Sequence, residues 1–343
     1  MKEITICGIG AITALGNTAE EIWEKLEKNE IEKTDASQYQ FKSCMSLSQK
    51  RRSNRYSDMC VYVSQEAVKN AGSEDVLRDK NRAGTIFTTG FGPLNTVYEY
   101  AVSLFKEGYE YSSPIVFSNS VNNACVGNIC MALGVKGASA MFMDSNNFLY
   151  SQMLLNVDKA DCIITGAVEE YSEVLWESIK EKNADLNLKE AAVAFLVRKS
   201  KESENAYCNV LELKTLSMGS TPLQGQISQK AEKNIRRLME DISKTHKIDV
   251  CFASTGSIAF DETEINALQN AFGEEVPVVK DVKAIFGETM GASFNLNMMV
   301  AALVLKEGKL PKIFDVCKEN IETVLVTGYG PTGNYMVAVL SKF

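Results

Sequence analysis

Apolar positions along the chain follow two alternating periods from one end to the other. Short, β-rich apolar runs read as strands at Ile4–Thr13, Gly84–Thr89, Ser139–Met143, Cys162–Gly166 and Ala191–Arg198. A second series follows at Cys208–Leu216, Asp249–Ala253, Val278–Lys280, Thr323–Thr327 and Tyr335–Leu340. Between them apolar residues recur at helical spacing. Thr18, with Glu21 three positions on, reads as a capping box opening a helix that carries Ile22, Trp23 and Leu26 on one face. Ser57 is expected to cap a second helix, which Gly72 stops. Further helices are expected at Leu94–Phe105, Ala231–Ile242, Asp261–Phe272 and Met290–Lys306. The continuous apolar runs Ser139–Met143, Cys162–Gly166 and Ala191–Arg198 have the pattern of strands covered by helices on both faces. Alternation of this kind specifies an α/β fold. Its repetition implies two similar halves, 1–212 and 213–343.

Composition narrows the function classes. The chain has 343 residues, enough to bury a large core without metals or disulfides. Lys and Arg number 36 against 44 Asp and Glu, a net charge of −8 that argues against nucleic-acid binding. No apolar stretch approaches the roughly 20 residues needed to span a bilayer, and Glu3, Gly8 and Gly10 break any signal-peptide pattern. The nine cysteines are scattered with no Cys-x-x-Cys pair, which reads as reduced thiols in a cytoplasmic protein. Cys125 and Cys251 are expected to be small core residues. The single histidine, His246, sits in the charged turn Lys244–Lys247 and reads as an exposed spacer. One histidine excludes a two-histidine metal site within one chain, and neither metal nor cofactor is expected.

Chemistry in α/β folds collects at strand ends. Four polar or glycine-punctuated ends stand out: Asp144–Asn147, Ala253–Ser257, Lys283–Ala292 and Gly328–Gly333. Taken singly, each is equally well a turn whose glycine supplies positive φ; four along one chain are harder to dismiss.

The order and spacing of these segments resemble the β-ketoacyl synthases, condensing enzymes of fatty-acid and polyketide assembly. The opening Ile4–Asn17, the block Arg51–Asp58 with the helix ending at Gly72, the segment Ser112–Phe117 running into Ser120–Asn123, and the closing Gly328–Asn334 carry the resemblance, which covers essentially the whole chain. It implies a thiolase-like five-layer αβαβα fold made of two pseudo-duplicated halves. Members of that family work through a cysteine at a helix N-terminus and two histidines. Laid on the pattern, Asn146 stands at the cysteine, Ala253 at the first histidine and Glu288 at the second. Lys283 of the Lys-x-x-x-Gly-His motif and Glu264 of the Asp261–Glu264 pair are retained. Lys283 and Glu288 are expected to form an ion pair in the emptied site. Phe142, Phe148, Phe286 and Met290, near the site, read as core more than as acyl-binding surface.

The resemblance narrows further to the chain-length factors of type II polyketide synthases, disabled sisters of an active ketosynthase that often carry an amide at the cysteine position, as Asn146 is here. It implies a heterodimer with an active β-ketoacyl synthase, with the acyl carrier protein engaged indirectly. The strand Ser139–Met143 would pair across the twofold and Phe117–Ile129 would line the partner's tunnel. Ser145, Asn147, Phe117 and Tyr329 are the expected substrate-binding residues, and polyene-making systems a plausible setting. The alternative is a malonyl- or acyl-thioester decarboxylase or hydrolase run by Ser145, Asn146, Asn147, Lys283 and Glu288. A carrier-protein docking module is a weaker third reading, because an acidic chain repels an acidic carrier.

Overall fold

Among the described residues, the ten strands repeat one winding scheme twice. A computed structural model of the chain describes residues 2–30, 37–72, 77–144, 146–181, 185–199, 206–224, 227–255, 258–280 and 282–343. The first five strands are β1 (Ile4–Ile12), β2 (Ala83–Thr89), β3 (Ser139–Met143), β4 (Cys162–Glu169) and β5 (Ala191–Lys199), lying side by side as β3-β2-β4-β5-β1. The second five are β6 (Cys208–Ser217), β7 (Val250–Phe252), β8 (Val278–Val279), β9 (Thr323–Tyr329) and β10 (Asn334–Lys342), in the order β6-β10-β9-β7-β8. In each set the second, third and fourth strands run parallel, while the fifth is antiparallel to its neighbours on both sides. A short antiparallel pairing of Ile4–Ile6 with Cys208–Val210 joins the sets. The scheme restarts between Lys199 and Cys208, so the 212/213 division lies inside β6.

Helices sort by the face they cover. In the first half these are α1 (Ala19–Lys28), α2 (Leu47–Lys50), α3 (Arg55–Asn70), α4 (Leu94–Glu107), α5 (Pro114–Asn119), α6 (Ala124–Leu133), α7 (Asn147–Asn156) and α8 (Glu173–Ile179). The second half carries α9 (Gln229–Ser243), α10 (Ile258–Phe272), α11 (Val282–Phe286) and α12 (Ser293–Glu307). On the outer face of the first sheet, Tyr56, Met59 and Val63 of α3 and Cys125 and Ile129 of α6 pack on Ile164 and Leu196. Ile235 and Met239 of α9 and Leu268 of α10 do the same on the second, against Leu325 and Val337. Between the sheets lie α7 and α12, whose Phe148, Leu155, Met298 and Val304 share one core with Ile163 and Phe195 on one side and Val326 and Met336 on the other. The layers are therefore αβαβα. Every residue of α12 from Phe294 to Leu305 is buried, as a helix apolar on all sides requires.

Four local details differ from expectation. Asn54, not Ser57, caps α3: its carboxamide oxygen accepts from the Ser57 amide at 2.9 Å, which places Ser57 in the first turn. At α1, Thr18 caps as expected, but the Glu21 carboxylate reaches back to the Asn17 amide at 3.0 Å, one residue earlier than a standard box. β3 sets Ala140 and Phe142 on the central core and Met141 on the outer one, so both faces are met, but only in part. It is the edge strand of its sheet and stays partly exposed, because only β2 flanks it. His246 is half-buried against Glu212, with Nε2 to Oε2 at 3.1 Å, rather than a free spacer. Cys125 and Cys251 are buried as expected.

Sheet and helix approach most closely where α3 crosses β1. A Cβ on Gly10 would overlap the Val63 carbonyl, and helix backbone cannot retreat as a flexible side chain can. Gly10→Val is expected to cost about 3 kcal/mol, the upper part of the overpacking range. The denaturation midpoint measures it, and an unchanged midpoint would mean that α3 can shift off the sheet.

Candidate functional site

The parallel strands β2, β3 and β4 end beside the β9–β10 loop, and the N-terminal ends of α7 and α12 meet there. Every polar strand end singled out from sequence contributes to this region or borders it.

The turn from β3 into α7 is sharp. Asp144 is fully buried at φ +69°, its amide donates to the Thr89 carbonyl at 2.8 Å, and its own carbonyl accepts from the Thr88 hydroxyl. The Asp144 carboxylate accepts from the Thr332 hydroxyl of the β9–β10 loop and packs on Gly330, where a Cβ would overlap it. Asn146 follows at φ −87° as the N-cap of α7, with no side-chain capping bond. Ser145 lies outside the described residues. Asn147 is fully buried, and its carboxamide donates to Thr165 Oγ1 at 3.1 Å and to Asn295 Oδ1 at 2.9 Å. It is thus placed as a tie from α7 to β4 and α12, not on an open wall.

The second half supplies two carboxylates. Ala253 follows β7 directly and is buried, its carbonyl held by Asn297 Nδ2 at 3.2 Å. Beyond it the Ser254 amide and hydroxyl both donate to Glu264 Oε2, at 3.0 and 2.9 Å. Oε1 of Glu264 accepts from Thr327 and Tyr335, each at 2.6 Å. Burial pushes the Glu264 carboxyl upward while these donors pull it back. Gly256 and Ser257, which complete that motif, lie outside the described residues. The expected ion pair is present: Lys283 Nζ lies 2.7 Å from Glu288 Oε2. Glu288 Oε1 accepts from the Met290 amide at 2.7 Å and the Ser293 hydroxyl at 3.1 Å, so the carboxylate also closes the start of α12.

Tyr329 is buried in the β9–β10 hairpin, its hydroxyl donating to the Ser220 carbonyl at 2.8 Å and its ring against Phe260. Phe117 lies far from this polar cluster in kind: it is exposed on α5, stacked on Tyr100. Phe148, Phe286 and Met290 are buried, and Phe142 packs on Tyr150. Two roles in the site go beyond the sequence reading: Asp144, within the strand end singled out above, as a buried partner of Thr332, and Glu169. Glu169 is buried at the end of β4 and accepts from the amides of Gly90, Phe91 and Gly291 at 2.6, 3.0 and 3.1 Å. Burial outweighs those donors and raises its pKa to about 8. Its neighbour Glu170 is raised by burial to about 7. The signal was available: two acids closing an apolar strand, Val168-Glu169-Glu170, are out of place unless held.

Both of these expectations can be checked in solution. Lys283→Met is expected to lower stability by about 2 kcal/mol, less than the ~3–5 of a fully buried pair because water still reaches the lysine; chemical denaturation reads it. For Glu169 the folded pKa of about 8 lies above the ordinary 4.5, so the folded state holds the extra proton between those values. Its contribution is full below about 4.5 and is lost as pH rises through 8. Stability should therefore fall from pH 5 to 9, and Glu169→Gln should flatten that slope even though its amide donors lower absolute stability. An identical slope in the variant would assign the decline to other groups.

Comparison with known proteins follows the same line. Residues 214–316 match the family described as "Beta-ketoacyl synthase, C-terminal domain". A 3-oxoacyl-[acyl-carrier-protein] synthase 2 of Staphylococcus aureus is 22% identical across 90% of this chain and 87% of its own length. A ketosynthase in complex with its chain length factor from Xenorhabdus doucetiae superposes with a TM-score of 0.82 at 14% identity, covering 100% of this chain and 98% of the other. The ishigamide ketosynthase/chain length factor gives a TM-score of 0.81 at 16% identity, covering 100% and 99%. A β-ketoacyl synthase from Burkholderia phymatum gives 0.80 at 16%, covering 100% of both chains. Residues 214–316 thus match the C-terminal domain of the β-ketoacyl synthases, and the repeated five-strand scheme with two central helices gives the whole chain the thiolase-like fold of these ketosynthase structures.

Proposed function

We propose that this chain is a non-catalytic subunit of chain-length-factor type, which pairs with an active β-ketoacyl synthase and completes its acyl tunnel in type II polyketide or fatty-acid assembly. The observation that carries the reading is the surface around β3. Its open edge offers unpaired backbone groups, and the strand is flanked by exposed apolar side chains: Tyr111, Ile115 and Phe117 near α5, Val121 before α6, and Met143 at the strand end. A groove of about 900 Å³ runs between β3 and α6, lined by Val121, Val126, Cys130 and Met141 among others. An uncovered strand edge in an apolar surface is a pairing surface or an aggregation hazard. Chains of the same fold include the ketosynthase that is complexed with its chain length factor.

The aligned positions supply no reacting pair. Asn146 has an amide, Ala253 a methyl group, and Glu288 is engaged by Lys283, Met290 and Ser293. A thioester decarboxylase or hydrolase would need those polar groups free, together with Asn147, whose carboxamide is spent on Thr165 and Asn295. No such second enzyme role is favoured. The carrier protein docks chiefly on the active partner, since a chain of net charge −8 repels an acidic carrier. Highly reducing, polyene-making systems are the setting this role fits.

Coexpression with the ketosynthase encoded nearest to it is expected to yield a one-to-one complex. Phe117→Glu should weaken that complex about 30-fold or more, the loss typical of a central aromatic anchor, while leaving the monomer's melting temperature unchanged. A stable homodimer that ignores the ketosynthase, or a variant that pairs normally, would defeat the proposal.

A further inference from the structure

The residue that faces the other half across the strand-to-helix turn is not the one aligned with the nucleophile. Asn146 has ordinary backbone angles near the helical region and caps α7. Asp144, two residues earlier, has φ +69°, which a side chain other than glycine rarely adopts and which surrounding structure must enforce. Enforcement is visible: the amide is held by Thr89 O, the carbonyl by Thr88, and the carboxylate by Thr332. A strained residue at a tight strand-to-helix turn is the geometry that presents a nucleophile in α/β enzymes. Here that geometry presents a carboxylate.

The receiving surface is built for it. Thr332 itself accepts from Asn334 Nδ2 at 3.0 Å, which orients its hydroxyl hydrogen toward Asp144 Oδ2. Gly330 leaves the space that the carboxylate fills, because a Cβ there would overlap both carboxylate oxygens. The loop is braced in turn by Gly330 N to Asn334 O at 2.9 Å and by Met218 N to Gly333 O at 2.8 Å. Across from it, Pro331 packs toward Gly90, whose amide holds Glu169.

We propose that Asp144 is a built-in occupant of the site. Its carboxylate, latched by Thr332, fills the space left beside Gly330 and fastens the first half to the C-terminal loop of the second. Resting on the non-catalytic reading, this names the side chain that fills the turn in such a subunit. It makes Asp144 and Thr332 positioning residues, with Gly330 as the spacer that lets the carboxylate in. Removing the side chain should leave a one- or two-carbon cavity with the Thr332 donor at its wall, a receptor for a small carboxylate.

The test is chemical rescue in the full chain. Asp144→Ala is expected to melt several degrees lower, and sodium formate at tens of millimolar should restore much of that loss where sodium chloride of equal ionic strength does not. The unmodified protein and Asn146→Ala should show no formate-specific shift. Should Asp144→Ala not fold, Asp144→Ser keeps a hydroxyl beside Thr332, leaves room for the same anion and is read identically. Formate acting no better than chloride on the Asp144 variant, or equally well on Asn146→Ala, would overturn the proposal. Pairing with a ketosynthase is measured separately, so rescue without pairing defeats only the subunit role, and pairing without rescue defeats only the plug.

Discussion

Two helices lie between two sheets, and the burial of α12 on all sides and of one face of α7 governs the rest of the molecule. α12 is buried continuously from Phe294 to Leu305, and α7 contributes Phe148, Leu154 and Leu155 to the same core. Helices in that position have no water to satisfy polar side chains, so each polar group they carry must find a fixed partner. Asn147 and Asn295 find each other, and Asn297 holds the carbonyls of Ala253 and Thr327. These amides lock the register of the central layer to both halves. They also fix where the two N-terminal ends emerge, which is why the strand ends of both halves converge there.

Where the strand ends converge, the side chains of the second half are absorbed into packing or hydrogen bonding. Ala253 is core, Glu288 neutralises Lys283 and closes α12, and Glu264 gathers four donors from Ser254, Thr327 and Tyr335. Glu169 gathers three backbone amides around Gly90 and Gly291. A buried carboxylate with that many donors is structural: it organises loops that would otherwise leave amides unsatisfied.

Much of the architecture was legible in sequence because it rests on periodicity. The strand ladder follows nearly complete from the apolar runs, and the mainly apolar 290–306 segment announced a central helix. The capping of α3 was misread because Asn54 and Ser57 are both good caps, and only the backbone shows which carbonyl side chain turns inward. The edge position of β3 was not legible, because an apolar run carries no mark of how many strands flank it. In the site, the Lys283–Glu288 pair was legible from opposite charges around a glycine turn. Asp144 and Glu169 were not, since their roles depend on contacts 188 and 122 residues away in the chain. Asn147 looked available for binding because a polar residue beside a turn carries no sequence mark of the asparagine 148 residues on that consumes it.

The proposed role has this molecule keep a condensing-enzyme fold and pair with an active ketosynthase instead of carrying an acyl group itself. Its most direct test is intact-mass and peptide-mapping spectrometry of the purified chain after incubation with an acyl thioester of a carrier protein. The account predicts no acyl group on any side chain of the 144–147 turn, whereas the partner ketosynthase in the same mixture becomes acylated. A stoichiometric adduct within that turn on the isolated chain would contradict it.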